Sequence, residues 1–457
     1  MIRLRRTMVL IGAVLMAAVR GMLQLLTGQV APVTGDRSSV DPRPRPERGN
    51  VWRWLFRGAA FLVLASLGGF LFAASGIMPI KASSGHWPIT VWLLDFAMRR
   101  SVVTHSLGIK PPPLDDGALV LKGAGHYEIG CRPCHGSPDL HQLPRIAQSM
   151  TPQPPNLTRE IPKWDSKELF YIVKHGVKFT GMPAWPAQKR DDEVWAMVAF
   201  LLTMPMLTAD DYKRLTRSGD STPGANVPMH DLLGPQQAPL AVSESCGRCH
   251  GADGGGRGLG AFPKLAGQKP EYFVASMRAY ASGRRSSGMM EPIAVALSQG
   301  ATAELARYYA SLDSKITDKK PQGSDSKIVE PNAKPLLNTV EASRTVSMST
   351  QRERDTTSTA EKPASPIERG REIAMRGIPG QRVPACNDCH GPSDFPRNPN
   401  YPNLAGQFAD YLVLQLTLFK KHVRGGTAYA HLMRPVAAGL TAEQMRDVSL
   451  FYESLPD

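Results

Sequence analysis

Cys131-Arg132-Pro133-Cys134-His135, Cys246-Gly247-Arg248-Cys249-His250 and Cys386-Asn387-Asp388-Cys389-His390 are one five-residue pattern met three times in a chain of 457 residues. The pattern C-x-x-C-H has a chemical reason. Its two thiols reach the two vinyl groups on one edge of a porphyrin as thioethers. The next residue is then carried under the ring, where its imidazole can bind iron. The reading is three covalently bound haem c groups, held by Cys131, Cys134, Cys246, Cys249, Cys386 and Cys389, with His135, His250 and His390 on the irons. All six cysteines lie in these strings. A zinc site would need further Cys or His at ligand spacing, and no cysteine is spare. A redox C-x-x-C would need a βαβ context and no obligatory His.

The repeats extend beyond these strings. Each His is followed by Gly (Gly136, Gly251, Gly391) and then by Pro-x-Leu: Pro155-Asn156-Leu157, Pro263-Lys264-Leu265, Pro402-Asn403-Leu404. Each unit then offers a Met and closes on a helix with apolar periodicity. The second and third units are close relatives: Leu265-Ala266-Gly267-Gln268 recurs as Leu404-Ala405-Gly406-Gln407, with Tyr272 and Tyr411 four residues on. Leu297–Leu312 aligns without gaps on Leu440–Leu455, and Thr441-x-x-Gln444 predicts a capping box. The first unit's equivalent helix is expected from Asp191 to Leu202.

The second axial ligand decides what kind of haem protein this is. Met182 stands in a Pro-fixed loop, Gly181-Met182-Pro183-Ala184-Trp185. Met290-Glu-Pro-Ile-Ala aligns with Met433-Arg-Pro-Val-Ala, which selects Met290 over Met289. Met182, Met290 and Met433 are therefore the candidate ligands, with His175 and His431 as competitors that would make bis-His sites.

The unit C-x-x-C-H-G, P-x-L, Met and aromatic C-terminal helix resembles the class I cytochrome c fold. The second and third units resemble tandem two-haem cytochromes. The first is similar to haem domains in membrane-bound cytochrome subunits of respiratory complexes. The resemblance implies that the carbonyls of Pro155, Pro263 and Pro402 accept a hydrogen bond from Nδ1 of each proximal His, fixing ring and tautomer. It does not by itself imply that the last two units pack face to face, because the 50 residues between them depart from the short connection of such tandems.

The expected architecture is all-α: three class I cytochrome c domains in tandem behind an N-terminal transmembrane helix. Residues 1–50 are a basic region with a signal-like segment at 8–19 and a disordered stretch at 28–50. The span is 58–80, uncharged, preceded by arginines and by Trp52 and Trp54. Residues 81–115 form an amphipathic juxtamembrane segment that packs on the first domain or lies on the membrane. The domains are 116–207, 239–313 and 364–457, with a connector at 208–238 and a disordered linker at 314–363 that lacks aromatics.

The net charge of +14 divides into +7 on residues 1–57 and +7 on the rest. Six haem propionates would offset most of the latter, so the excess is a topology signal and not a nucleic-acid surface. With basic residues cytoplasmic, the haem domains face the periplasm from a bacterial inner membrane.

An iron held on both faces by protein has no open position for substrate and changes oxidation state with little rearrangement. The chain therefore reads as an electron carrier with no catalytic residue. Its partners would be a quinol-oxidising complex, a dehydrogenase or a terminal oxidase. The alternatives are a cytochrome subunit of a catalytic oxidoreductase complex, or a peroxidase-type haem enzyme with one displaceable ligand.

Overall fold

The computed structural model describes residues 48–77, 81–140, 142–216, 246–251, 253–258, 260–312, 364–391 and 397–456. The signal-like segment 8–19, the stretch 28–47, the connector beyond Thr216 and the linker 314–363 lie outside the described residues. The chain divides into two compact units, Met1–Ile80 and Lys81–Asp457.

In the first unit, helix α1 runs Arg48–Ala74. Its apolar stretch, Trp52–Ala74, is 23 residues with a mean hydropathy of 1.8 and no part buried. The helix begins ten residues before the expected start at Gly58, because Trp52, Trp54, Leu55 and Phe56 continue the same helix. It ends at Ala74, ahead of Gly76 at φ 69°, a left-handed conformation that closes a helix.

The second unit is mostly helical, with loops between the helices and no strand among its described residues; one isolated bridge joins Ile378 and Val383. Its main helices are α2 Pro88–His105, α3 Gly117–Gly130, α4 Ser166–His175, α5 Asp191–Thr203, α6 Ala209–Thr216, α7 Pro270–Ala281, α8 Met290–Ala296, α9 Gln299–Ser311, α10 Pro366–Arg376, α11 Ala409–Lys420, α12 Ala430–Gly439 and α13 Ala442–Ser454. Single helical turns carry the three C-x-x-C-H strings: Arg132–His135, Gly247–His250 and Asn387–His390.

Three large hydrophobic clusters organise this unit, beside a small one of Leu121, Cys249 and Phe262. The first surrounds Tyr127, Phe200 and Tyr212, all essentially inaccessible. Each such side chain contributes on the order of 1.5–3 kcal/mol by leaving water. The helices α3 and α5 cross closely there because residue 123 is Gly; a Cβ would overlap the Ala196 carbonyl and come within 2.6 Å of Phe200 Cβ. The last cluster repeats the device at Gly370, where a Cβ on α10 would overlap the Asp447 carbonyl on α13. The middle cluster joins Phe273, Leu305 and Tyr309.

The sequence repeat is also a structural one. Helices α9 and α13 occupy equivalent residues, and both Gly267 N and Gly406 N donate to the carbonyl of the aligned tyrosine, Tyr309 and Tyr452, at 2.9 Å. The capping box at Thr441 and Gln444 is formed. Helix α6 falls within the stretch read as connector. It packs on α3, with the Tyr212 hydroxyl donating to Glu128 at 2.5 Å. Helix α2 packs its C-terminal half on the first cluster's neighbours: Arg99 lies over Trp164 at 5.1 Å and His105 stacks on Tyr171 at 5.6 Å. Its N-terminal half leaves Trp92, Leu93 and Phe96 exposed.

Candidate functional site

Each C-x-x-C-H turn presents its histidine to the following Pro-x-Leu segment. His135 Nδ1 lies 3.2 Å from the Pro155 carbonyl, His250 Nδ1 3.0 Å from that of Pro263, and His390 Nδ1 3.0 Å from that of Pro402. A carbonyl only accepts, so each Nδ1 carries the proton and each Nε2 keeps its lone pair. Burial lowers the pKa of all three rings, opposed by these carbonyl bonds. The imidazoles are thus neutral and oriented, the state a metal requires.

Of the thiols, Cys249 is buried and the other five are half-buried. Burial pushes Cys131 up to about 12, and Cys249 and Cys386 up to about 11. They are therefore not activated thiolates of the kind a nucleophilic or redox cysteine needs. Among the described residues no group of three or more Cys, His, Asp or Glu forms a metal-ion cluster.

In the third repeat, one cavity is lined by Cys386, Cys389, His390, Tyr401, Met433 and Tyr452. The proximal string and Met433 thus face the same space. In the second repeat, Met290 packs on the cluster that includes Cys246, Leu265 and Tyr309, while Met289 is buried beside it. In the first, the Met182 loop is pinned by Val177 N to Met182 O at 3.2 Å and Trp185 N to Lys174 O at 3.0 Å. Met150, which sequence reasoning passed over, places its methyl against Gly181 in that loop. Both competing histidines are exposed: His175 tilts over Tyr171 at 4.6 Å, and His431 has Nδ1 3.0 Å from the Ala428 carbonyl.

The second and third repeats pack face to face. Gln268 Nε2 donates to Asn403 O at 3.1 Å and its Oε1 accepts from Asn403 N at 2.9 Å. Gln407 does the same to Lys264, at 3.1 and 3.0 Å. Deeper in the interface, Arg285 donates to the Tyr411 hydroxyl at 3.2 Å and Arg424 to the Tyr272 hydroxyl at 2.7 Å. The guanidiniums also lie over Tyr280 and Phe419, each at 4.5 Å. Every partner here is the repeat equivalent of the other, so the interface has the reciprocity of a two-fold dimer within one chain.

The residues fit a haem group. Tyr309 and Tyr452, aligned in the repeat, have buried hydroxyls without a hydrogen-bond partner. Arg285 and Arg424 have no carboxylate partner among the ion pairs of the described residues, so the interface holds two cations suited to an anionic group such as a propionate. The tyrosines stand out in the sequence as repeated positions, whereas Arg285 and Arg424 were missed, although they stand at the same repeat spacing as Tyr272 and Tyr411.

Helices with no strand among the described residues, C-x-x-C-H turns and proline-anchored imidazoles define a c-type cytochrome. The chain belongs to the class I cytochrome c family, whose members carry covalently bound haem c, and it is an electron-transfer protein. The family model described as cytochrome C oxidase, cbb3-type, subunit III matches residues 118–201. Cytochrome c-554(548) of Halomonas halodenitrificans is 40% identical over 73 residues, 16% of this chain and 87% of that protein. Cytochrome c-552 of Acidithiobacillus ferridurans is 29% identical over 222 residues, 48% of this chain and 76% of that one. A thiosulfate dehydrogenase electron acceptor of Thiomonas intermedia is 29% identical over 212 residues, 46% and 79% respectively.

Proposed function

We propose that the chain is a membrane-tethered triheme cytochrome that passes single electrons between redox partners on the periplasmic face of a bacterial inner membrane. Bound haem supplies a one-electron iron couple at each site. The residues do the rest. Cys131 and Cys134, Cys246 and Cys249, and Cys386 and Cys389 attach the three groups in the three domains. His135, His250 and His390 ligate on one face, and Met182, Met290 and Met433 on the other. The observation that carries the reading is the threefold recurrence of an imidazole held by a proline carbonyl. Exposure of His175 and His431 supports methionine over a second histidine.

Helix α1, with its 23-residue apolar stretch, supports a tether, and arginines on its N-terminal side support a periplasmic location for the haem domains. The partners would be a periplasmic dehydrogenase or a quinol-oxidising complex as donor and a terminal oxidase as acceptor; the relative named as a thiosulfate dehydrogenase electron acceptor supports the dehydrogenase. A second reading, a subunit of an oxidase complex, is favoured by the family match over residues 118–201. Solubilising membranes in mild detergent distinguishes them, because a subunit co-purifies with its oxidase and a free carrier does not.

Carbon monoxide tests the ligation. With both faces of each iron filled, the reduced spectrum stays unchanged. Tight binding at one centre would instead indicate a haem enzyme.

A further inference from the structure

The first and second repeats meet through a carboxylate that neither haem string predicts. Glu193 lies on α5, 2% exposed, and carries four interactions. Its Oε2 accepts from Trp185 Nε1 at 3.1 Å and from Gly288 N at 2.7 Å. Its Oε1 accepts from the Ser287 hydroxyl at 2.7 Å and pairs with Arg190 at 3.0 Å. Arg190 donates in turn to the Ser286 carbonyl at 2.7 Å and is itself fixed by Asp192. Three consecutive residues of the second repeat, Ser286 to Gly288, are therefore held by two side chains of the first.

Both ends of this junction lead to a candidate ligand. Ser287 Oγ accepts from Met290 N at 3.1 Å. Trp185 closes the loop that bears Met182, three residues earlier. Gly288 sits directly under the indole, where a Cβ would overlap Trp185 Nε1. A continuous path thus runs from Met290 N through Ser287 and Glu193 to Trp185, and so to the Met182 loop.

We propose that Glu193 is a positioning residue shared by the first two haem centres, anchoring the Met182 and Met290 loops to one buried carboxylate so that ligand geometry at both depends on it. The inference rests on the methionine ligands proposed above. A buried carboxylate with all its donors in place holds its neighbours rigidly. Deleting it strands the Trp185 and Gly288 N–H groups and the Ser287 hydroxyl together, and leaves Arg190 paired with Asp192 alone. Loosening the support of a metal ligand weakens binding by about 10–100-fold.

The test is imidazole competition on the full-length ferric protein. Loss of the near-infrared Met-to-iron band is followed together with centre-resolved NMR of the methionine methyls, assigned with M182A and M290A. S287A, which cuts only the path to Met290, tightens imidazole binding at the second centre by about 10-fold. W185F, which removes the indole N–H and keeps a ring, does so at the first. E193A does so at both, E193D recovers part of the loss, and the third centre is unchanged throughout. Wild-type affinities at all centres in haem-loaded E193A, or an equal change at all three, would overturn the proposal. An M290A protein with an unaltered second-centre spectrum would overturn the ligand reading itself and the clamp with it.

Discussion

Gln268 and Gln407 hold each other's loops: each closes a two-bond ring on the backbone next to the other's Leu-Ala-Gly-Gln turn, at residues 403 and 264. Truncating one removes two interface hydrogen bonds to backbone groups at once. Gln407 is the more buried of the two, so Q407A costs about 1–3 kcal/mol and Q268A less. Denaturant unfolding of the haem-loaded protein measures both. The double variant falls short of additivity if the two rings belong to one interface.

Gly370 tests the close crossing of α10 and α13. A Cβ there meets the backbone carbonyl of Asp447, which cannot rotate away. G370A therefore destabilises by about 1–3 kcal/mol despite alanine's better helix propensity. A lowered melting temperature is the expected result, and an exposed helix position would give the opposite sign.

His126 makes the protein acid-sensitive. Burial, with Lys122 and Arg190 nearby and Asp192 opposing, lowers its pKa to about 3. The unfolded chain takes up a proton near the ordinary value of 6.5 and the folded chain does not, so stability is complete above that value and falls as pH drops from 6.5 toward 3. The loss reaches a few kcal/mol. H126L, which also removes the unpartnered Nδ1, flattens this part of the pH–stability curve.

Arg424 lines the same cavity as Cys386, Cys389 and His390. A fixed positive charge beside an iron favours the reduced state. R424Q therefore lowers the midpoint potential of the third centre in a redox titration, while the first centre, in a separate hydrophobic cluster, stays as it was.

Much of this was legible in the sequence because it is local or repeated. The haem strings, the Pro-x-Leu segments and the register of α9 on α13 each follow from a fixed spacing. Helix α6 was missed although Thr208 and Asp211 cap it reciprocally, with Asp211 N donating to Thr208 Oγ1 at 3.1 Å. That signal is present in Thr-x-x-Asp, but it sits in a stretch dominated by loop residues. Glu193 and the Arg–Tyr pairs were not legible, since their partners lie about 95 to 150 residues away and exist only once the repeats have docked. The 50-residue separation of the last two repeats left face-to-face packing open in the sequence. The cost of closing a loop grows only with the logarithm of its length, so a long linker weakens such an interface little.

The count of thioether-bound haems bears most directly on the whole account. The chain is exported with its cytochrome maturation machinery intact, and its intact mass is compared with that of the apoprotein. A gain of three haem masses, with no thiol left to titrate, is the result expected. A gain of two or fewer, with free cysteines at one of the strings, would contradict it.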